Sequence, residues 1–130
     1  MVWIYHLENH ATYAPLSTQI LQACESGSNR AVTSVITLLE VLVKPEREGN
    51  TIAVNDYRIY LSTFPNLRMV PIDHDVAARA AAIRAHDGIR TPDALQIAAA
   101  MHAGAGCIVG NDRAWMKVNG IDIILLDDLL

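Results

Sequence analysis

The sequence predicts an α/β domain of three layers, with helices on both faces of a mostly parallel central sheet, and three observations lead there. Short runs rich in Val and Ile alternate with longer segments whose apolar residues recur at helical spacing. The turn-rich stretches "ESGSNR", "KPEREGN" and "HDGIRTPD" are too short to separate two domains. Strands that alternate with helices imply right-handed crossovers and parallel pairing. A length of 130 residues suits one domain, residues 1–130, able to bury an ordinary core without disulfide or metal staples.

In chain order, Leu16, Ile20, Ala23 and Cys24 fall on one face of an amphipathic helix. "AVTSVI" at 31–36 reads as a strand, and Glu40 in "TLLEVLVKP" falls about one turn into the helix that follows it. Tyr57, Tyr60, Leu61 and Phe64 mark a second amphipathic helix, and "RMVPI" at 68–72 a second strand. Val76, Ala80 and Ile83 form another helical stripe, with Arg79 and His86 turned outward. "TPDALQIAAAMHAG" is apolar nearly all round and predicts a buried helix, with Thr91 as N-cap, Pro92 at the first helical position and Gly104 near the end. "CIVG" at 107–110 and "IDIILL" at 121–126 complete the strands.

A hydrophobic fraction of 52% and a charged fraction of 18% describe a globular chain. Its apolar runs are far shorter than the roughly 20 residues a bilayer requires. The opening "MVWIYHLE" has neither a basic lead nor a sustained apolar core and does not read as a signal peptide. Cys24 and Cys107 suit small apolar positions in a reducing compartment, which predicts a cytoplasmic protein without a membrane partner. The net charge of −4 argues against gripping nucleic acid by bulk positive charge. It does not exclude a nuclease, because carboxylates gathered round a divalent cation make the metal-free protein acidic where a phosphate must bind.

In an open α/β sheet the functional crevice lies outside the carboxyl ends of the strands. Glu40, Asp93 and Asp112 all map to that rim: Glu40 after the first strand, Asp112 directly after "CIVG", and Asp93 in the first turn of a helix that runs antiparallel to the strands. Each also has a structural reading. Asp93 suits a helix N-terminus by the dipole alone, Glu40 suits a solvent-facing helical position, and Asp112 suits a cap or turn. Together they carry more weight, since three neighbouring carboxylates repel one another and need a cation or proton to coexist. Hard oxygen ligands of this kind fit magnesium or manganese. His6 and His10 have the i, i+4 spacing of a ligand pair but no identifiable further ligand, and read as surface histidines. His74, His86 and His102 are scattered, and neither cysteine has a CxxC partner.

The ordered set "TSVITLLEVL", "TPDALQIAAAM", "IVGNDRAW" and "IILLDDL" resembles the PIN-domain ribonucleases, and most closely the VapC-like toxins of bacterial toxin–antitoxin pairs. The resemblance runs over nearly the whole chain. It implies a metal-dependent endoribonuclease that uses Mg2+ or Mn2+ to hydrolyse RNA phosphodiester bonds, is silenced by an antitoxin and forms homodimers. Glu40, Asp93 and Asp112 match the family's second, third and fourth acidic positions, with Asp93 the first choice as direct metal ligand. Ser34 and Thr37 match small hydroxyl residues before the glutamate, and Asn111 matches a polar residue before the last aspartate. The resemblance implies that these three contact the substrate. Arg113 and Lys117, which follow, offer positive charge to an RNA backbone and equally suit a solvated face.

Family members open with a short apolar strand ending in an aspartate. Val2–Glu8 match the run that comes after that aspartate, so "MVWIYHLENH" is expected to start the first helix, although its Val, Trp, Ile and Tyr alone suggest a strand. Glu8 lies roughly two helical turns from the aspartate's place and cannot simply replace it. The resemblance therefore implies about six apolar residues upstream, ending in the first aspartate. The competing expectation is a catalytically silent PIN-like module that acts through protein partners. Trp3, Tyr57 and Tyr60 exceed what one small core hides, which also predicts self-association.

Overall fold

Helix α1, Val2–Leu7, opens the chain in the computed structural model, which describes residues 1–130. It is the helix that the resemblance implied and that β-propensity opposed. Val2 and Trp3 are buried, so packing of one face outweighs a local preference for strand. Helix α2, Ala14–Glu25, follows with a proline in its first turn.

Strand β1, Ala31–Ser34, passes directly into helix α3, Val35–Arg47. The sequence reading carried this strand to residue 36. It stops at Ser34 because the Ser34 hydroxyl accepts a hydrogen bond from the Ile36 N–H and caps the helix, overriding the β-branched Val35 and Ile36. Helix α4, Thr51–Thr63, is capped by Asn50, and strand β2, Leu67–Val70, runs after it. Helix α5, His74–Asp87, starts at the capping carboxylate of Asp73 and ends at Gly88, whose φ of 67° gives a left-handed C-cap. Helix α6 runs Thr91–His102. Arg90 holds its N-cap position, not Thr91 as expected, because the Thr91 hydroxyl is engaged by the Arg84 guanidinium. Strand β3, Cys107–Gly110, a 3-10 helix at Arg113–Lys117, strand β4, Asp122–Leu125, and a 3-10 turn at Leu126–Leu129 complete the chain.

All pairing is parallel. β1 pairs with β2 from Ala31↔Leu67 to Ser34↔Val70, and β3 with β4 from Cys107↔Asp122 to Gly110↔Leu125. The expected central sheet is present as these two pairs, β1 and β3 sharing no hydrogen bonds. The strands lie between two cores. Val76, Ala80 and Ile83 of α5 and Ala94, Ile97 and Ala98 of α6 pack on Val70, with Val32, Ile108 and Ile123 against them. On the other face Trp3, Leu21, Cys24, Val41, Leu61 and Leu126 gather, with Ala31, Met69 and Val109 against them. Both faces of the strands are covered, which is why they read as continuous apolar runs.

The aromatic residues expected to spill onto the surface do not. Trp3 is buried, edge-on to Tyr60 and Phe64, and Tyr57 and Tyr60 are half-buried in the same cluster.

Candidate active site

Ser34 stands at the end of β1 and is 1% exposed. Its hydroxyl accepts from the Ile36 N–H and donates to Oε1 of Gln96 at 2.7 Å. The Gln96 amide donates in turn to Thr37 Oγ1 at 2.9 Å, and Thr37 shares a 2.6 Å bond with Thr33. This network joins the start of α3 to the first turns of α6. Ser34 and Thr37, matched by resemblance to substrate-contacting hydroxyls, thus spend their bonding capacity inside the fold.

One turn beyond Thr37 stands Glu40, and one turn before Gln96 stands Asp93. The Gln96 clamp therefore brings the two carboxylates to the same place. Burial pushes the Glu40 carboxyl above its ordinary value; the Met1 ammonium opposes that rise, the Asp93 charge adds to it, and Arg90 opposes it. The Met1 ammonium is itself pushed down by burial and held up by Glu40 and Asp93. Two carboxylates and one cation are thus within electrostatic reach of one another. Arg90 holds Asp93 from the other side, Nη2 to Oδ2 at 3.4 Å.

Asp112 follows β3, which four residues join to α6. Its carboxylate caps the 3-10 helix, Oδ1 accepting from the Ala114 N–H at 2.9 Å. No three carboxylates, histidines or cysteines gather closely enough to hold a metal ion. Glu40 and Asp93 act on one another's charge, whereas the Asp112 carboxylate is turned to its own helix.

Of the remaining expected residues, Asn111 accepts from the Asp127 N–H and ties the end of β3 to the chain's last turn. Arg113 is paired with Asp128 at 2.8 Å, and Lys117 closes the same 3-10 helix in solvent. His6 bonds Thr18 and Tyr60, and His10 accepts from the Thr12 and Tyr13 N–H groups, so both histidines are structural. The sequence reading missed Gln96, Thr33 and Arg90. A glutamine within the apolar run "ALQIAAAM" was the available signal, since a half-buried amide needs partners.

The family model of the PIN domain matches residues 1–121. The chain belongs to the PIN domain family. Among solved structures, this PIN domain is similar to a chain of a toxin–antitoxin complex from Klebsiella pneumoniae, at 20% identity and a TM-score of 0.71, covering 96% of this chain and 92% of that one. It is also similar to a chain of VapBC2 from Rickettsia felis bound to a DNA fragment from their promoter, at 15% identity and a TM-score of 0.70, covering 95% and 92%. At these identities the likeness establishes the fold. No curated protein matches the chain by sequence. No helix of this PIN domain is long and apolar enough to cross a membrane.

Proposed function

We propose that this PIN domain is a metal-dependent endoribonuclease that serves as the toxin of a toxin–antitoxin pair in the cytoplasm. Family membership supports a nuclease, and the two toxin–antitoxin structures it resembles support an antitoxin partner. The observation that carries the reading is the Glu40–Asp93 pair, two half-buried carboxylates from distant parts of the sequence within electrostatic reach of one another. A donor set of hard oxygens fits Mg2+ or Mn2+. Asp93 and Glu40 would hold the ion, and Asp112 would join through water. When bound, the ion supplies a water of lowered pKa and neutralises charge at the phosphate. Arg90 orients Asp93, Gln96 fixes the spacing of the pair, and Lys117 offers a positive charge to the backbone of an RNA strand.

The test is cleavage of RNA with Mg2+ or Mn2+ present. Activity should stop with a chelator and fall at least about a hundredfold in Asp93→Asn, which keeps shape but removes the charge a cation needs. Unchanged cleavage in that variant would overturn the mechanism. A second reading, a catalytically silent module acting through protein partners, is favoured by one observation, the absence of a third ligand beside the pair. It is the outcome if the purified chain binds an antitoxin but no Mn2+.

A further inference from the structure

Three rings gather on the surface where α1 meets α2. Tyr5 of α1 stacks on Tyr13 with centroids 4.7 Å apart, and His10 in the intervening turn stands 4.8 Å from Tyr5 and 4.9 Å from Tyr13. His10 is exposed and the two tyrosines are half-buried. The bonds that fix His10 in its turn use only Nδ1, which accepts from the Thr12 and Tyr13 N–H groups, so the ring carries its proton on Nε2. One end of the cluster reaches the carboxylate pair. The Tyr5 hydroxyl leans on Met1 Sδ at 3.8 Å, and Met1 lies within electrostatic reach of Glu40 and Asp93. The other end reaches the tip of β3. The Tyr13 hydroxyl donates to Asp127 and meets the Asn111 amide, and Asn111 directly precedes Asp112.

Rings that serve only the core are hidden, as Trp3 and Phe64 are. Rings left open beside a site read for phosphodiester hydrolysis suit the flat face of a nucleobase, because every base stacks on an aromatic ring whatever its sequence. Charge decides which part of a strand lies there. The Asp127 carboxylate at the edge of the cluster repels phosphate, whereas Arg113 and Lys117, on the 3-10 helix after Asp112, attract it. Resting on the nuclease reading, we propose that Tyr5, His10 and Tyr13 form a platform on which one unpaired base of the RNA strand stacks beside the carboxylate site. The platform selects single strands and loops, since a paired base reaches the rings only by leaving its own stack.

The probe is a single-stranded oligoribonucleotide of about eight nucleotides that carries 2-aminopurine, whose emission is quenched on stacking. With a chelator present to stop cleavage, the parent chain should quench it saturably, and the same strand paired with its complement should not compete. His10→Asn keeps an acceptor for the two N–H groups but removes a ring, and should weaken binding at least about fivefold, the lower end of what one stacked base contributes. Tyr13→Leu should weaken it as much, and more than Tyr13→Phe, which removes only the hydroxyl. With Mg2+ or Mn2+ present, His10→Asn and Tyr13→Leu should raise KM by a like factor. If the parent leaves the emission unchanged, the platform fails. It fails equally if the duplex competes as well as the single strand, or if Tyr13→Phe loses as much as Tyr13→Leu. If both ring-deleting variants are folded by circular dichroism and quench and cleave as the parent does, the platform is overturned and the nuclease reading stands. If the parent quenches the probe, both variants lose that quenching and no strand is cleaved with either metal, the nuclease reading is overturned and the platform stands.

Discussion

Gln96 makes the site at the residue scale. It is the one side chain that bonds both Ser34 and Thr37, and it does so from the helix that carries Asp93. Glu40 and Asp93 repel one another, so their closeness is a property of the scaffold and must be held by contacts elsewhere. Gln96→Leu keeps the volume but strands two hydroxyls in a buried position. Unfolding in urea should show a loss of about 1 to 3 kcal/mol, the usual range for unsatisfied buried polar groups. Mn2+ affinity, measured by calorimetry on the folded variant, should fall as well. A variant that loses stability yet binds Mn2+ as the parent does would show that Gln96 braces the fold without spacing the pair.

At the scale of the element, short polar signals decide where strands give way to helices. Ser34 ends β1 and begins α3, and Asp73 begins α5. The Asp73 carboxyl is held below its ordinary value of 3.8, first by the hydrogen bond from the Val76 N–H, with the His102 side chain 3.9 Å away also favouring the charged form. Because the folded value lies below the unfolded one, the stabilisation is complete above 3.8 and is lost as pH falls through the folded value. Asp73→Ala should therefore lower the thermal midpoint at neutral pH, with the gap from the parent closing in acid. An equal gap at neutral and acid pH would show that the charge contributes nothing. Gly110 ends β3 for a different reason: a Cβ there would stand 2.8 Å from the Trp115 ring. Gly110→Ala should cost about 1 to 3 kcal/mol by overpacking and shift Asn111 and Asp112 with the strand end. Chemical denaturation reads the cost, and amide shifts at Asn111 and Asp112 read the movement.

For the whole molecule, the exposed apolar surface is aliphatic. Leu39 and Val43 lie one turn apart on α3, and Ile52 and Ile59 two turns apart on α4, with Ile52 as much as 73% exposed. Aromatic residues, from which self-association was first expected, are packed around Trp3 instead. If the chain dimerises, these two neighbouring helices are the face to use. Sedimentation at micromolar concentration should give the mass of two chains, and Leu39→Lys with Ile52→Lys should give the mass of one with the thermal midpoint little changed. A parent that sediments as one chain removes the expectation.

The sequence alone determined the order of helices and strands, their parallel pairing, and the family. Periodicity is a local property, and "TPDALQIAAAM" and "IVGNDRAW" carry their signal in a few adjacent residues. From crossover topology it led to the expectation of Glu40, Asp93 and Asp112 on one rim of the sheet, and the structure brings Glu40 and Asp93 within electrostatic reach of one another. It could not separate a carboxylate that faces the site from one that caps its own helix, as Asp112 does, since both place an aspartate after a strand. Nor could it show that Ser34 and Thr37 turn inward to Gln96, about sixty residues further along the chain. Those facts belong to contacts between distant segments. Only the packing of α6 against both halves of the sheet fixes them.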